Sequence, residues 1–370
     1  FFILFFLGLF FSFSSTSSLA GERLNKEFYF FFTKHLIFAF LAITVMIVIS
    51  TVKTDLLMKF VAPLFIISFV FLAIVPIIGI EVNGAKRWID LYFFRLQPIE
   101  ILKPFFILMT AKILTSEKFQ NSQIKYIFSF MLLGSVIILL VNQPDLGQSI
   151  LLIGSWVGTV FISGVSLIHI FLIFLIFSAL LGSLLFFLPE KFGYIINRLI
   201  TFFDPSQGDK FQSSSALDAI RLGGLTGQGM GEGILKDSVP EAHTDYVIAV
   251  ISEEYGSLAT IIILIIFLYI SFRIIKNCFN QDNQFLKISL SGLATLMIFQ
   301  TFIHAGVNTN LVPTTGMTLP FLSYGGSSLI GSAILAGLVL NYTKNKSYLY
   351  DKKKNSHRDW WNRWSCFSSL

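Results

Sequence analysis

The sequence predicts an all-α, polytopic integral membrane protein. Hydrophobic residues make up 54% of the 370 residues and charged residues only 13%, whereas a soluble domain carries about 25% charged residues. Apolar runs long enough to cross a bilayer, which takes about 20 residues per helix, recur along the whole chain. We therefore predict about ten transmembrane helices and one large extracytoplasmic loop. Two cysteines, Cys278 and Cys366, indicate neither a disulfide framework nor a metal site.

The order of the apolar runs sets the predicted topology. We place the spans near residues 1–15, 30–50, 56–79, 97–115, 125–142, 148–164, 166–188, 246–272, 287–308 and 317–342. An even number puts both termini on one side, and the basic run Lys344–Arg358 indicates that this side is the cytoplasm. We expect a transmembrane domain over residues 1–342 and a basic, disordered cytoplasmic tail over 343–370.

The predicted large loop covers about residues 189–245, between the seventh and eighth spans. A loop of this length in a compact protein is usually functional. It contains Arg198, Gln212 and the glycine-rich run Gly223–Gly231. The run could approach a phosphate closely or could simply form turns.

The loop ends in a polar cluster at the start of the eighth span, formed by Glu241, His243, Thr244 and Asp245. Burial at a water–lipid boundary can raise a carboxyl pKa by about 3–5 units. Such a carboxylate suits a general base for a substrate that is itself half in the membrane. The alternative is an ordinary helix start with interfacial polar residues.

Three other polar features interrupt the apolar pattern. Glu100 and Lys103 are three residues apart, so they share a helix face and form either a structural ion pair or part of a substrate site. Asp145 follows Gln143-Pro144 at a sharp break and either caps the next helix or serves the site. The run Pro313–Ser328, rich in Pro, Gly and Ser, is typical of a broken or re-entrant segment beside a polar cavity.

Together these features resemble one family, the SEDS proteins (shape, elongation, division and sporulation), over about Ser15–Tyr342. The matching motifs are Gly84–Leu91, Gln97-Pro98 with Glu100 and Lys103, Gln143–Gly147, Pro240–Asp245 with Glu253-Glu254, and Leu319–Ser328. One departure is Ile99, where the family usually has a small residue.

The resemblance implies an inverting glycosyltransferase that polymerises lipid II into peptidoglycan strands beside a class B penicillin-binding protein. The family's essential loop aspartate falls on Asp245, the candidate base, and cations would assist the undecaprenyl-pyrophosphate leaving group. The candidate substrate-binding residues are Arg87, Trp88, Gln97, Glu100, Lys103, Asp145, Arg198, Gln212, His243, Thr244, Ser323 and Tyr324. No cofactor is firmly predicted, although Mg²⁺ or Mn²⁺ on the pyrophosphate is compatible with the chemistry.

The tail bears on the choice between the division branch, FtsW, and the elongation branch, RodA. If the reading frame is shifted by one base, codons that encode Asn355–Ser368 can also encode a glycine-rich peptide. That peptide is similar to the N-terminal loop of the glycosyltransferase that makes lipid II. The gene of that enzyme commonly follows the gene of FtsW, so the two reading frames would overlap here. We therefore favour the division branch, at the septum of the bacterial inner membrane, against the alternative of a Trp-rich interfacial tail.

Two other functions fit the same sequence. A lipid II flippase would need alternating access but no base, and a scaffold would only recruit the crosslinking enzyme. The expected partners are lipid II, the class B penicillin-binding protein, other division proteins and membrane lipid. No nucleic-acid partner is expected.

Overall fold

The computed structural model describes residues 1–15, 30–82, 84–92, 94–166, 189–204, 211–235 and 238–344, with isolated positions between 168 and 182. Its helices are α1 (Phe2–Ser15), α2 (Phe30–Thr51), α3 (Thr54–Ile78), α4 (Pro98–Leu114), α5 (Ser122–Asn142), α6 (Leu146–Ile162), α7 (Pro189–Phe203), α8 (Phe211–Gly223), α9 (Val247–Phe279), α10 (Gln284–Asn308) and α11 (Gly326–Lys344). The predicted span at 166–188 lies largely outside the described residues, and the tail beyond residue 344 lies wholly outside them.

The predicted polytopic helical fold is confirmed. Within the described part of the chain, six helices are long and apolar enough to cross a membrane, namely α2, α3, α5, α9, α10 and α11. The helices α1 and α6 are apolar but shorter. The helix α4 begins on Pro98 and carries both charges predicted to interrupt the apolar pattern.

The helices differ in how much of their surface the protein itself covers. The protein buries 67% of the apolar window of α10 and 78% of that of α11, but only 22–28% for α2, α3, α5 and α9. The latter group therefore faces lipid, and α10 and α11 lie in the centre. A Cβ on Gly158 of α6 would come within 2.6 Å of Thr295 on α10, so α6 and α10 are in close contact through a small residue, as expected in lipid.

A small antiparallel sheet, not predicted from the sequence, lies between α3 and α4. Its strands are β1 (Ile80–Val82), β2 (Ala85–Asp90) and β3 (Arg95–Leu96), in the order β1-β2-β3. Side chains alternate between the faces of a strand, and in β2 Ala85, Arg87 and Ile89 are the buried set. The sheet therefore directs Arg87 inward.

Two predicted spans have different bounds in the structure. The helix α9 runs on to Phe279 and is broken at Gly256, where φ is 82° and ψ is 165°. The helix α11 begins at Gly326 rather than near 317, because residues 309–325 form turns and irregular backbone. The predicted broken segment before the last helix is thus confirmed, and it shortens that helix.

The polar helix ends collect at one end of the bundle. There α3, α5 and α10 end, and α4, α6, α9 and α11 begin. At the other end, buried Asn341 of α11 donates to the carbonyl oxygens of Ile49, Ser50 and Val52 at 2.6–3.2 Å. Thr54 donates to the Asn341 amide oxygen at 2.8 Å, so one side chain ties α11 to the turn between α2 and α3.

Candidate functional site

Asp245 lies in a tight turn immediately before α9. The carbonyl oxygen of Glu241, whose φ is 53°, accepts hydrogen bonds from the N–H groups of Thr244 and Asp245 at 3.0 Å each. The side-chain amide of Asn308, at the end of α10, donates to the Asp245 carbonyl oxygen at 3.1 Å. Ser323 donates its hydroxyl to the Thr244 carbonyl oxygen at 2.6 Å. Contacts with α10 and with the segment before α11 therefore hold Asp245 in place.

The Asp245 carboxyl and the Arg87 guanidinium both lie beside the backbone of Gly316. A Cβ on Gly316 would stand 3.4 Å from Asp245 Oδ2 and 3.7 Å from Arg87 Nη1. Burial raises the pKa of Asp245 to about 7, with a further rise from the charge of Glu241 and an opposing effect of Arg87. A carboxyl with a pKa near neutrality suits general acid–base work.

Arg87 also holds the break between α5 and α6. Its Nε donates to the Gln143 carbonyl oxygen at 3.2 Å, and its Nη2 donates to that of Pro144. The same Nε is 3.9 Å from Asp145 Oδ2. Arg87 therefore has a structural role in addition to its position near Asp245.

Asp145 caps α6, as one of the two alternatives predicted, with Oδ1 accepting the Gln148 N–H at 3.4 Å. Gln97 donates to its Oδ2, also at 3.4 Å. Burial raises the pKa of Asp145, and Arg87 opposes that rise. The structure thus brings Gln97 and Asp145 into contact beside Arg87.

Glu100 and Lys103 form the predicted ion pair on α4, with 2.8 Å between Oε2 and Nζ. Gln148 of α6 donates to Glu100 Oε1 at 2.7 Å. Lys103 donates to Gln300 Oε1 of α10 at 3.2 Å. Gln300 in turn donates to the Thr318 carbonyl oxygen at 3.0 Å. The pair therefore connects three helices to the broken segment before α11.

Arg198 and Gln212 lie on the loop helices α7 and α8. Both line a cavity of about 270 Å³ together with Asn197, Thr201, Asn310 and Thr314. Arg198 donates to the Thr314 carbonyl oxygen at 3.3 Å. Burial lowers the pKa of Arg198, and the charge of Arg87 lowers it further. Thr314 is two residues from Gly316, so this cavity is close to Asp245.

His243 and Tyr324, two of the predicted substrate-binding residues, lie together beside the Asp245 turn. The rings of His243 and Tyr324 are 5.6 Å apart, each also near Phe31. Tyr324 donates its backbone N–H to the His243 carbonyl oxygen at 2.9 Å. Burial lowers the pKa of His243, although Glu241 opposes this.

Two of the predicted substrate-binding residues, Ser323 and Thr244, make hydrogen bonds within the protein, and a third, Trp88, lies apart from Arg87. Ser323 accepts the Leu319 N–H at 2.8 Å in addition to its bond to Thr244. The Thr244 hydroxyl donates to Glu241 Oε2 at 3.0 Å. Trp88 alternates with Arg87 along β2 and is half-buried on the opposite face, so the two do not meet.

The glycine-rich run packs against the break in α9. A Cβ on Gly227 would come within 2.6 Å of Gly256 N, and Gln228 donates its N–H to the Glu253 carbonyl oxygen at 2.9 Å. Gly229 donates to the Glu254 carbonyl oxygen at 3.0 Å. The run therefore satisfies carbonyl groups that the break exposes, which agrees with its interpretation as turns.

No role was predicted from the sequence for Gly316, Asn308, Gln148 or Gln300. Polar residues inside apolar runs were the available signal for the last three, because such residues usually face a partner or a cavity. Nothing local marks Gly316 beyond its place in a Gly- and Pro-rich segment. Among the described residues, no group of three or more His, Cys, Asp or Glu side chains could hold a metal ion.

The chain is similar to known proteins over most of its length. A family model described as Cell cycle protein, covering FtsW, RodA and SpoVE, matches residues 1–348. A probable peptidoglycan glycosyltransferase FtsW of Caulobacter vibrioides (strain NA1000 / CB15N) is 31% identical, spanning 93% of this chain and 87% of its own length. A relative with the same description in Pasteurella multocida (strain Pm70) is 33% identical over 92% of this chain and 87% of its own length.

Two solved structures have the same fold. One belongs to work on the structural coordination of polymerization and crosslinking by a peptidoglycan synthase complex. Its TM-score is 0.75 at 24% identity, over 93% of this chain and 96% of that one. The other is the rod shape determining protein RodA of Thermus thermophilus, with a TM-score of 0.67 at 25% identity over 93% and 94% of the two chains.

Proposed function

Because the chain belongs to the FtsW, RodA and SpoVE family of cell cycle proteins, we infer that it is a peptidoglycan glycosyltransferase acting in the membrane. Its curated relatives are described as probable peptidoglycan glycosyltransferases FtsW. The substrate we propose is lipid II, which the enzyme joins into glycan strands. One observation carries the assignment of the site, namely the Asp245 carboxyl with a pKa of about 7 beside the Arg87 guanidinium.

The proposed step is a single displacement at the anomeric carbon of the donor sugar. Asp245 takes the proton of the acceptor hydroxyl as its oxygen attacks that carbon. The bond to the pyrophosphate breaks with inversion, and undecaprenyl pyrophosphate leaves with the electron pair. The positive charge of Arg87 stabilises the charge that develops on the leaving group.

The ion pair of Glu100 and Lys103 supports this site from within the bundle. Both side chains are buried, and their contacts are with Gln148 and Gln300 rather than with the turn that bears Asp245. A buried pair of this kind costs desolvation free energy, which good geometry and further hydrogen bonds offset. We propose that the pair positions α4, α6 and α10 around the site.

The partners and the location belong to the same proposal. A class B penicillin-binding protein would crosslink the strands, because one structural relative comes from a peptidoglycan synthase complex that couples polymerization to crosslinking. The inner membrane at the septum fits the FtsW relatives. A Mg²⁺ or Mn²⁺ ion on the pyrophosphate, contacts with other division proteins, and the direct binding of substrate by the remaining polar residues stay predictions.

Strand synthesis from purified lipid II by the protein with its cognate penicillin-binding protein tests the proposal. We expect polymer from the wild-type complex and none from Asp245→Asn. A flippase would instead move fluorescent lipid II across proteoliposomes without making polymer, and Asp245→Asn would retain that transport. The raised pKa at Asp245 favours the polymerase, since a flippase needs no base.

A further inference from the structure

The cavity between the loop helices and the segment before α11 has a polar lining that the proposed chemical step does not use. Its volume is about 270 Å³, just below the range of about 300–1,000 Å³ typical of pockets for whole small-molecule ligands. It can therefore hold one part of a large substrate, of the size of a single ring, but not the substrate as a whole.

The lining offers amides, hydroxyls and flat apolar surfaces. Asn197 and Gln212 supply side-chain amides, each of which both donates and accepts, and Thr201 supplies a hydroxyl. Phe202 and Pro313 supply the apolar surfaces. Among the described residues that line the cavity, none is a carboxylate. Sugar rings present the complement, because their hydroxyl and acetamido groups donate and accept hydrogen bonds while their C–H faces are apolar.

The cavity is also at the right place for a sugar. Arg198 lines it and bonds the Thr314 carbonyl oxygen, and Gly316, two residues further on, lies beside the Asp245 carboxyl. Two extended residues span at most about 7 Å. Thr314 also lines the cavity, so the cavity wall is within about 12 Å of the Asp245 carboxyl, a distance that two linked sugar rings can span.

We propose that this cavity binds one amino-sugar ring of the glycan, adjacent to the ring that reacts at Asp245. The inference rests on the proposed glycosyltransferase function and adds a saccharide subsite to it. The ring belongs either to the incoming lipid II or to the growing strand, which share the same sugar chemistry.

A matched pair of substitutions on α7 tests the subsite. Thr201→Trp fills the cavity, whereas Ile200→Trp adds the same side chain at a neighbouring position that is 39% exposed and outside the lining. We expect Thr201→Trp to lower kcat/KM for lipid II by about tenfold or more, since it displaces several hydrogen bonds. We expect Ile200→Trp to stay within about twofold of wild type and both variants to keep the wild-type melting temperature.

Truncation gives a second, milder test, which does not require the cavity wall to accommodate a tryptophan. The double variant Asn197→Ala/Gln212→Ala should lower kcat/KM by about three- to tenfold. Wild-type kinetics in this variant, or equal kinetics in the two tryptophan variants when both fold, would overturn the subsite. No polymer from the wild-type complex would instead remove the proposed function, and the subsite with it.

Two arms of the assay separate the sources of the ring. In one arm, two lipid II molecules are coupled for the first time; in the other, a preformed short lipid-linked strand is extended. If the cavity variants lose kcat/KM in both arms, the cavity binds a ring of lipid II. If they lose it only in extension and make shorter products, the cavity binds a ring of the growing strand. Either result supports a saccharide subsite.

Discussion

Asp245→Asn should make the protein inactive and more stable at the same time. The folded-state pKa of Asp245 is raised from 3.8 to about 7, chiefly by burial. The folded protein therefore holds this proton more tightly than the unfolded chain does. Stability is lost as the pH rises from about 4 to about 7, because deprotonation in that window favours the unfolded chain.

The size of the effect follows from the shift. Each pKa unit corresponds to about 1.36 kcal/mol, so a shift of about three units gives an upper limit of about 4 kcal/mol. Part of the residue remains exposed to solvent, and screening by solvent reduces this figure to about 2 kcal/mol. Asparagine cannot ionise, so the variant should gain about 2 kcal/mol at pH 8 and almost nothing at pH 4.

Thermal unfolding of the purified protein at pH 4 and pH 8 measures the gain in stability. Strand synthesis from lipid II measures the loss of activity. A gain of this size should raise the melting temperature at pH 8 by a few degrees. Asp218→Asn is the control, because Asp218 is 59% exposed and pairs with Arg221 on the surface of α8. It should change neither quantity.

Two results would refute the reasoning independently. Normal glycan strands from Asp245→Asn would show that the carboxylate is not the base. A variant that melts at or below the wild-type temperature at pH 8 would show that the folded protein does not resist ionisation of Asp245, and the argument from its pKa would fail.

Three further predictions concern the neighbouring residues. Glu241→Gln removes a charge that raises the pKa of Asp245, so the acid limb of the pH–rate profile should move to lower pH by up to about one unit; an unmoved limb would contradict the coupling. Gly316→Ala forces a side chain into backbone with φ 65° and places a methyl 3.4 Å from the carboxylate. The strained backbone should shift the segment beside the carboxylate and lower kcat at least about tenfold, and wild-type kcat would show that the site tolerates the substitution. In α4, Glu100→Lys alone should cost about 3–5 kcal/mol of unfolding free energy. Adding Lys103→Glu should restore most of the stability but little of the activity, and full activity would make the pair purely structural.

The class of the fold could be predicted from the sequence, which also marked Asp245 as the candidate site residue. Apolar runs of membrane length are a local property, because lipid leaves the backbone no partner outside its own helix. The contrast between those runs and the cluster before α9 also marked Asp245. The ion pair of Glu100 and Lys103 was also predictable, because residues three apart on a helix share a face.

Other features depend on contacts between distant segments, which no local pattern encodes. The sheet that directs Arg87 inward depends on pairing among three short strands, and Trp88, its sequence neighbour, lies on the opposite face as a result. The bounds of the last helix depended on how the Pro- and Gly-rich segment packs. Composition alone did not locate where that segment becomes helical.

The sequence by itself determined a polytopic helical protein, a polar cluster at a helix start and a carboxylate suited to act as a base. Only the tertiary structure decided which groups surround that carboxylate. It brings Gly316 beside both Asp245 and Arg87, and it ties the Asp245 turn to Asn308. These residues are far apart along the chain, so their proximity arises from helix packing. The pKa of Asp245 depends on that packing, because burial and neighbouring charge are properties of the assembled bundle.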